Sequence, residues 1–102
     1  MEAENLPVAC SLTNSELQER RKEVLARAKA AVIGKKETEN GFIFQFSSSS
    51  ERITALANLI AQEHLCCPFL SFRLTVEPGD GPVSLELSGP QGTKEFFTTL
   101  FE

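Results

Sequence analysis

The chain has 102 residues and carries 14 acidic against 10 basic side chains, for a formal charge of −4 and a pI near 5.0. One domain spanning residues 1–102 is expected, with 1–5 as a flexible lead-in; the acidic balance argues against a nucleic-acid backbone as partner, because phosphates need Lys and Arg. Nothing approaches the apolar run of about 18 residues that a membrane span needs, and the acidic start, Met1 to Asn5, has no signal-peptide pattern.

Residues Leu6 to Leu12 alternate, with Leu6, Val8, Cys10 and Leu12 on one side, as in a short edge strand that tolerates Pro7. A helix start follows. Thr13 can cap, Glu16 completes a capping box, and Leu12 with Leu17 can form a hydrophobic staple. Leu17, Val24, Leu25, Ala28 and Val32 then mark one helical face. The basic groups Arg20-Arg21-Lys22 and Lys35-Lys36 are mixed with Glu and read as solvated faces.

Asn40-Gly41 predicts a two-residue hairpin turn, after a charged strand over Lys35 to Glu39 that suits an edge. Phe42, Phe44 and Phe46 alternate beyond it and face one way. Ser48 and Glu51 are spaced as a second capping box. The helix they open places Ile53, Leu56, Ala57, Ile60 and His64 at core spacing, with Cys67 next in the series. Pro68 disfavours helical geometry at Cys67, so this helix should end near Cys66.

A second hairpin pairs Phe72, Leu74 and Val76 with Val83, Leu85 and Leu87 across the loop Pro78-Gly79-Asp80-Gly81-Pro82. Gly89-Pro90 then opens a last helix whose sticky face is Phe96, Phe97, Leu100 and Phe101. The helix-plus-hairpin unit occurs twice, which gives a pseudo-duplicated (αββ)2α order. The expected fold is α+β, a two-layer sandwich of two antiparallel hairpins with helices on one face, and Leu6 to Leu12 as a candidate fifth strand.

The stretch Glu63-His64-Leu65-Cys66-Cys67-Pro68 holds the only histidine and two of the three cysteines. Three cysteines cannot all pair within one chain, so free or metal-bound thiols in a reducing cytoplasm are expected. Cys66 and Cys67 have two readings. As small hydrophobes they would pack at a buried helix end; as adjacent thiolates they would suit an ion that prefers sulfur. Neighbours lie about 100° apart on a helix, so the second reading needs a backbone bend, which Pro68 can supply.

Cys10 and His64 are the candidates for a further ligand, His64 sharing a helical face with Cys67. The usual zinc spacings are absent. An activated catalytic cysteine fits less well, because a helix C-terminus disfavours a thiolate. Glu63 could orient His64 or act as a base, but no Ser or Asp motif makes a triad. Gly89 to Lys94 has the wrong glycine spacing for a phosphate loop. The Phe42-Phe44-Phe46 strand lacks the basic lead-in and the paired aromatic motif of RNA-recognition domains, so its rings are read as core.

Cys66-Cys67-Pro68-Phe69-Leu70, then Leu74-Thr75-Val76-Glu77-Pro78 and Ser88-Gly89-Pro90-Gln91-Gly92-Thr93-Lys94-Glu95-Phe96, resemble a family of small uncharacterised bacterial proteins. The similarity spans almost the whole chain, including Cys10-Ser11-Leu12-Thr13. Where that family often has Glu-Arg-x-Cys-Cys, this chain has Glu63-His64-Leu65-Cys66-Cys67. Those proteins resemble accessory products found around heavy-metal resistance genes, so the resemblance implies a metal-linked role and supplies no mechanism.

The expectation is therefore a cytoplasmic accessory protein, with a thiol-dependent enzyme in which His64 assists Cys67 as a weaker third reading. The accessory protein binds a soft ion of the Zn, Hg or As class through Cys66 and Cys67, completed by Cys10 or His64. The alternative is an interaction module whose cysteines only pack, with a second copy of the chain as partner through the last helix.

Overall fold

The computed structural model describes residues 15–96 of the 102. Several expectations lie outside that range: the flexible start, the Leu6 to Leu12 strand, Cys10, the Thr13 cap with its staple, and Phe97, Leu100 and Phe101 of the last helix. Six elements follow one another: α1 (Ser15–Ala31), β1 (Val32–Glu37), β2 (Gly41–Phe46), α2 (Ser50–Cys66), β3 (Ser71–Val76) and β4 (Val83–Ser88). The four strands form one sheet in the order β1-β2-β4-β3, with every neighbouring pair antiparallel. This is the α+β arrangement of two hairpins, each preceded by a helix. No helix among the described residues is long and apolar enough to cross a membrane.

Register explains why the two hairpins merge. Phe42 of β2 pairs with Leu87 of β4, and Leu87 with Phe72 of β3; Phe44, Leu85 and Leu74 form a second row, and Phe46, Val83 and Val76 a third. Side chains alternate between the faces of a strand, so these rows lay one apolar carpet on one face. Phe42, Phe46, Val83, Leu85 and Leu87 are buried in it, under Leu25 of α1 and Leu56 and Leu59 of α2. Burying one such side chain contributes about 1.5–3 kcal/mol. The rings of β2 therefore belong to the core, as their spacing predicts.

Turn chemistry differs from expectation at the first hairpin. The Thr38 amide donates to the Gly41 carbonyl at 2.9 Å, so Glu39 and Asn40 occupy the loop and Gly41 begins β2. Among the described residues, positive φ is confined to Gly79 and Gly92. The glycine at 41 instead answers a close approach: a Cβ there would run into the Leu87 carbonyl of β4. At the second hairpin, Gly79 takes φ +66° in the expected loop.

The first strand starts earlier than its charge pattern indicates. The chain passes from Ala31 of α1 straight into Val32 of β1, and a register shift between Val32 and Gly34 turns Ile33 outward. β-Branched residues at 32 and 33 favour the extended state over another helical turn. After β4, Gly89 to Gly92 leads into a helical turn at 93–96. Phe96 meets Phe69 edge-on at 5.1 Å, and Lys94 reaches Glu37 of β1 at 2.6 Å.

Candidate functional site

Helix α2 is capped one residue later than the spacing of Ser48 and Glu51 implies. Ser49 is extended, and its hydroxyl accepts from the Arg52 amide at 3.0 Å. The helix ends at Cys66, as Pro68 requires, with Cys67 as its C-cap at φ −128° and ψ 73°. The Cys67 amide still donates to the Glu63 carbonyl at 2.6 Å. That half-helical placement resolves the problem of adjacent thiols: leaving helical φ/ψ at Cys67 swings its side chain back toward Cys66. The two sulfurs lie 3.7 Å apart. Neither sulfur is in a disulfide, and both side chains are fully buried.

The buried face of α2 is Leu56, Leu59, Glu63 and Cys66, flanked by half-buried Ile53 and Ile60. It is turned relative to the expected series. Ala57 is exposed, and so is His64, about 100° round the helix from Glu63. His64 is therefore not brought to the thiol pair. The residue that comes inward is Glu63, with 4% of its surface exposed.

A carboxylate cannot be buried without a partner at tolerable cost. The partner is Arg21 of α1, itself 5% exposed. Its Nε donates to Glu63 Oε2 at 2.8 Å and its Nη2 to Glu63 Oε1 at 2.7 Å, a bidentate fork. The same Nη2 lies 3.3 Å from Cys67 Sγ, and Glu63 Oε1 lies 3.9 Å from that sulfur. Arg21, Glu63, Cys67 and Cys66 thus form one contiguous cluster, and it ties α1 to the end of α2.

The expectation that Arg20-Arg21-Lys22 is a solvated face fails at its middle member. A signal was present: Arg21 stands four residues before Leu25 and seven before Ala28, on the apolar stripe. Glu63 likewise stands four after Leu59 and three before Cys66. Opposite charges at core positions of two helices are a pairing signature that neither helix shows alone.

Burial pushes the Cys67 thiol well above the usual range, against the pull of the Arg21 charge, with Glu63 and Cys66 adding to the rise. For Arg21, burial works against its charge, and the bond and attraction to Glu63 outweigh it, so the guanidinium stays charged. The cluster holds a neutral thiol beside a locked ion pair, the reverse of the lowered thiol an activated nucleophile needs. Among the described residues, no group of three or more His, Cys, Asp and Glu side chains is placed to hold a metal ion.

Comparison with known proteins finds no matching family model, no matching curated protein and no matching solved structure.

Proposed function

We propose that the chain is a small accessory protein that binds a soft metal or metalloid ion through Cys66 and Cys67 in a reducing cytoplasm. The observation that carries this reading is the convergence of two reduced cysteine sulfurs to 3.7 Å beside Arg21. Sulfur binds such ions at about 2.3 Å, so a 3.7 Å separation subtends an angle of about 107° at a shared ion. That angle suits tetrahedral or pyramidal coordination. A linear two-sulfur complex would need the sulfurs about 4.6 Å apart on the same bond length.

Charge narrows the class further. A divalent cation must displace two thiol protons in a site whose burial opposes ionisation. A neutral trivalent oxyacid of the arsenite class avoids this. Two S–H groups condense with As(OH)3, two As–S bonds replace two As–O bonds, and the protons leave with the hydroxides as two waters. No net charge enters the core. Glu63 Oε1, 3.9 Å from the Cys67 sulfur, is the nearest carboxylate oxygen to take up the Cys67 proton in passing. Cys10 is the candidate for a third sulfur.

The second reading, an interaction module whose cysteines only pack, is favoured by their complete burial among Leu59, Phe69 and Leu70. Native mass spectrometry of the reduced full chain with arsenite, Zn(II) and Hg(II) separates the two. One arsenite per chain, with the mass of a product that has lost two waters, or three where Cys10 also joins the arsenic, and its loss in Cys66→Ser/Cys67→Ser, are expected. Unchanged adducts in that double variant would sink the metal reading. No adduct, with thiols that alkylate only after unfolding, would leave the packing reading.

A further inference from the structure

The two edges of the sheet are guarded differently. An edge strand offers unpaired N–H and C=O groups to any other strand, and natural edges carry charges, bulges or proline against this. β1 has Lys35, Lys36 and Glu37 in a row, and its register shifts between Val32 and Gly34. β3, the opposite edge, lacks both devices. It pairs with β4 from Ser71 to Val76 without a shift, and Arg73 is its one charged residue.

The apolar carpet is also incomplete there. Val83, Leu85 and Leu87 of β4 are buried, whereas on β3 Phe72 and Leu74 are half-buried and Val76 is 50% exposed. The other face of the strand is polar, with Arg73, Thr75 and Glu77 beside Ser84 and Glu86. The Arg73 side chain is 79% exposed and meets Glu86 at 3.7 Å, which leaves its guanidinium with N–H donors to spare. Among the described residues, β4 is the one strand that pairs with β3.

The strand is complementary to itself. Residues directly opposite in an antiparallel pair share a face, where opposite charges and apolar pairs stabilise and like charges do the reverse. A two-fold axis through Arg73 would set Arg73 against its own copy, and one through Leu74 would leave Arg73 facing Thr75. An axis through Thr75 sets Arg73 opposite Glu77 of the second copy, Leu74 opposite Val76, and Thr75 opposite itself. We infer that two copies of this chain join β3 to β3 about Thr75, so that their sheets become one continuous sheet with the helices of both copies on one face. Pro78 ends the pairing because it has no N–H to donate. The interface is isologous and short, so the dimer is weak and dissociates on dilution. It involves neither cysteine, and it holds whether or not the thiols bind an ion.

Sedimentation equilibrium of the reduced full chain, loaded from about 10 µM to about 1 mM where weak interfaces dissociate, tests this. A monomer–dimer equilibrium is expected. Arg73→Glu and Glu77→Arg should each weaken it by about tenfold or more, since both symmetry-related charge pairs become repulsive. An equimolar mixture of the two variants should dimerise again, because every Glu then faces an Arg. Val76→Lys, which puts a charge into the apolar seam, should give a folded monomer, and the charge variants carry the test if that protein does not fold. A monomer throughout the range would overturn the proposal. So would a mixture no tighter than either variant alone, or a dimer that Val76→Lys leaves intact, which would place the contact on another surface.

Discussion

Arg21 and Glu63 form the contact whose removal should be felt most at the residue scale. Truncating Arg21 leaves a carboxylate buried at 4% exposure with no counter-charge, a change that costs about 3–5 kcal/mol in other buried pairs. Glu63→Leu should cost less, because the long Arg21 side chain can carry its charge toward solvent while its stem stays packed. The double variant Arg21→Met/Glu63→Leu removes both desolvation costs and should recover most of the loss. Urea unfolding of the three variants and the wild type measures this. A double variant no more stable than Arg21→Met alone would show that the fork matters through its geometry at Cys67 and not through its charges. Both residues sit at core spacing, so the pair was readable from the sequence only by asking what buries each charge.

Across the elements, the helix starts and turns test how far local chemistry decides structure. Ser49 is the residue whose hydroxyl accepts the Arg52 amide, so Ser49→Ala should cost about 1 kcal/mol. Ser48→Ala, at the position the capping-box spacing points to, should stay within about 0.5 kcal/mol. Thermal unfolding of the two variants decides between them, and equal losses would contradict the cap assignment. Four consecutive serines present the same hydroxyl at successive positions, and only the packing of Leu56 and Leu59 on the sheet selects which one caps. Gly41 carries the same lesson. Asn-Gly is a strong local turn signal, but the glycine is required by the approach of β4, a contact 46 residues away with no local trace. The strands and the end of α2 were legible because alternation and proline act within a few residues. The convergence of Cys66 and Cys67 was legible only as a requirement for a bend, and the exposure of His64 was not, since it turns on which face Arg21 draws inward.

For the whole molecule, the buried thiol links stability to alkaline pH. In the unfolded chain a cysteine ionises near pH 8.5; in the folded chain burial holds the Cys67 proton to much higher pH. Below about pH 8.5 both states keep the proton, and the preference of the fold for neutral sulfur is fully in force. Above it the unfolded state releases a proton that the folded state retains, so folding stability falls by about 1.4 kcal/mol per pH unit until the folded thiol itself ionises. Arg21 opposes this by favouring the thiolate, while Glu63 and Cys66 reinforce it. Lysines ionise near pH 10.4, so urea unfolding of the reduced protein at intervals from pH 7.5 to about 9.5 isolates the thiol contribution. Cys67→Ser, which has no ionising sulfur at that position, should show a slope that matches at pH 7.5 and becomes shallower by about one proton toward pH 9.5. Parallel slopes in the two proteins would mean that Cys67 is reached by solvent in the folded state, so that a metalloid would meet no enforced neutral thiol there and the fold no alkaline weakness.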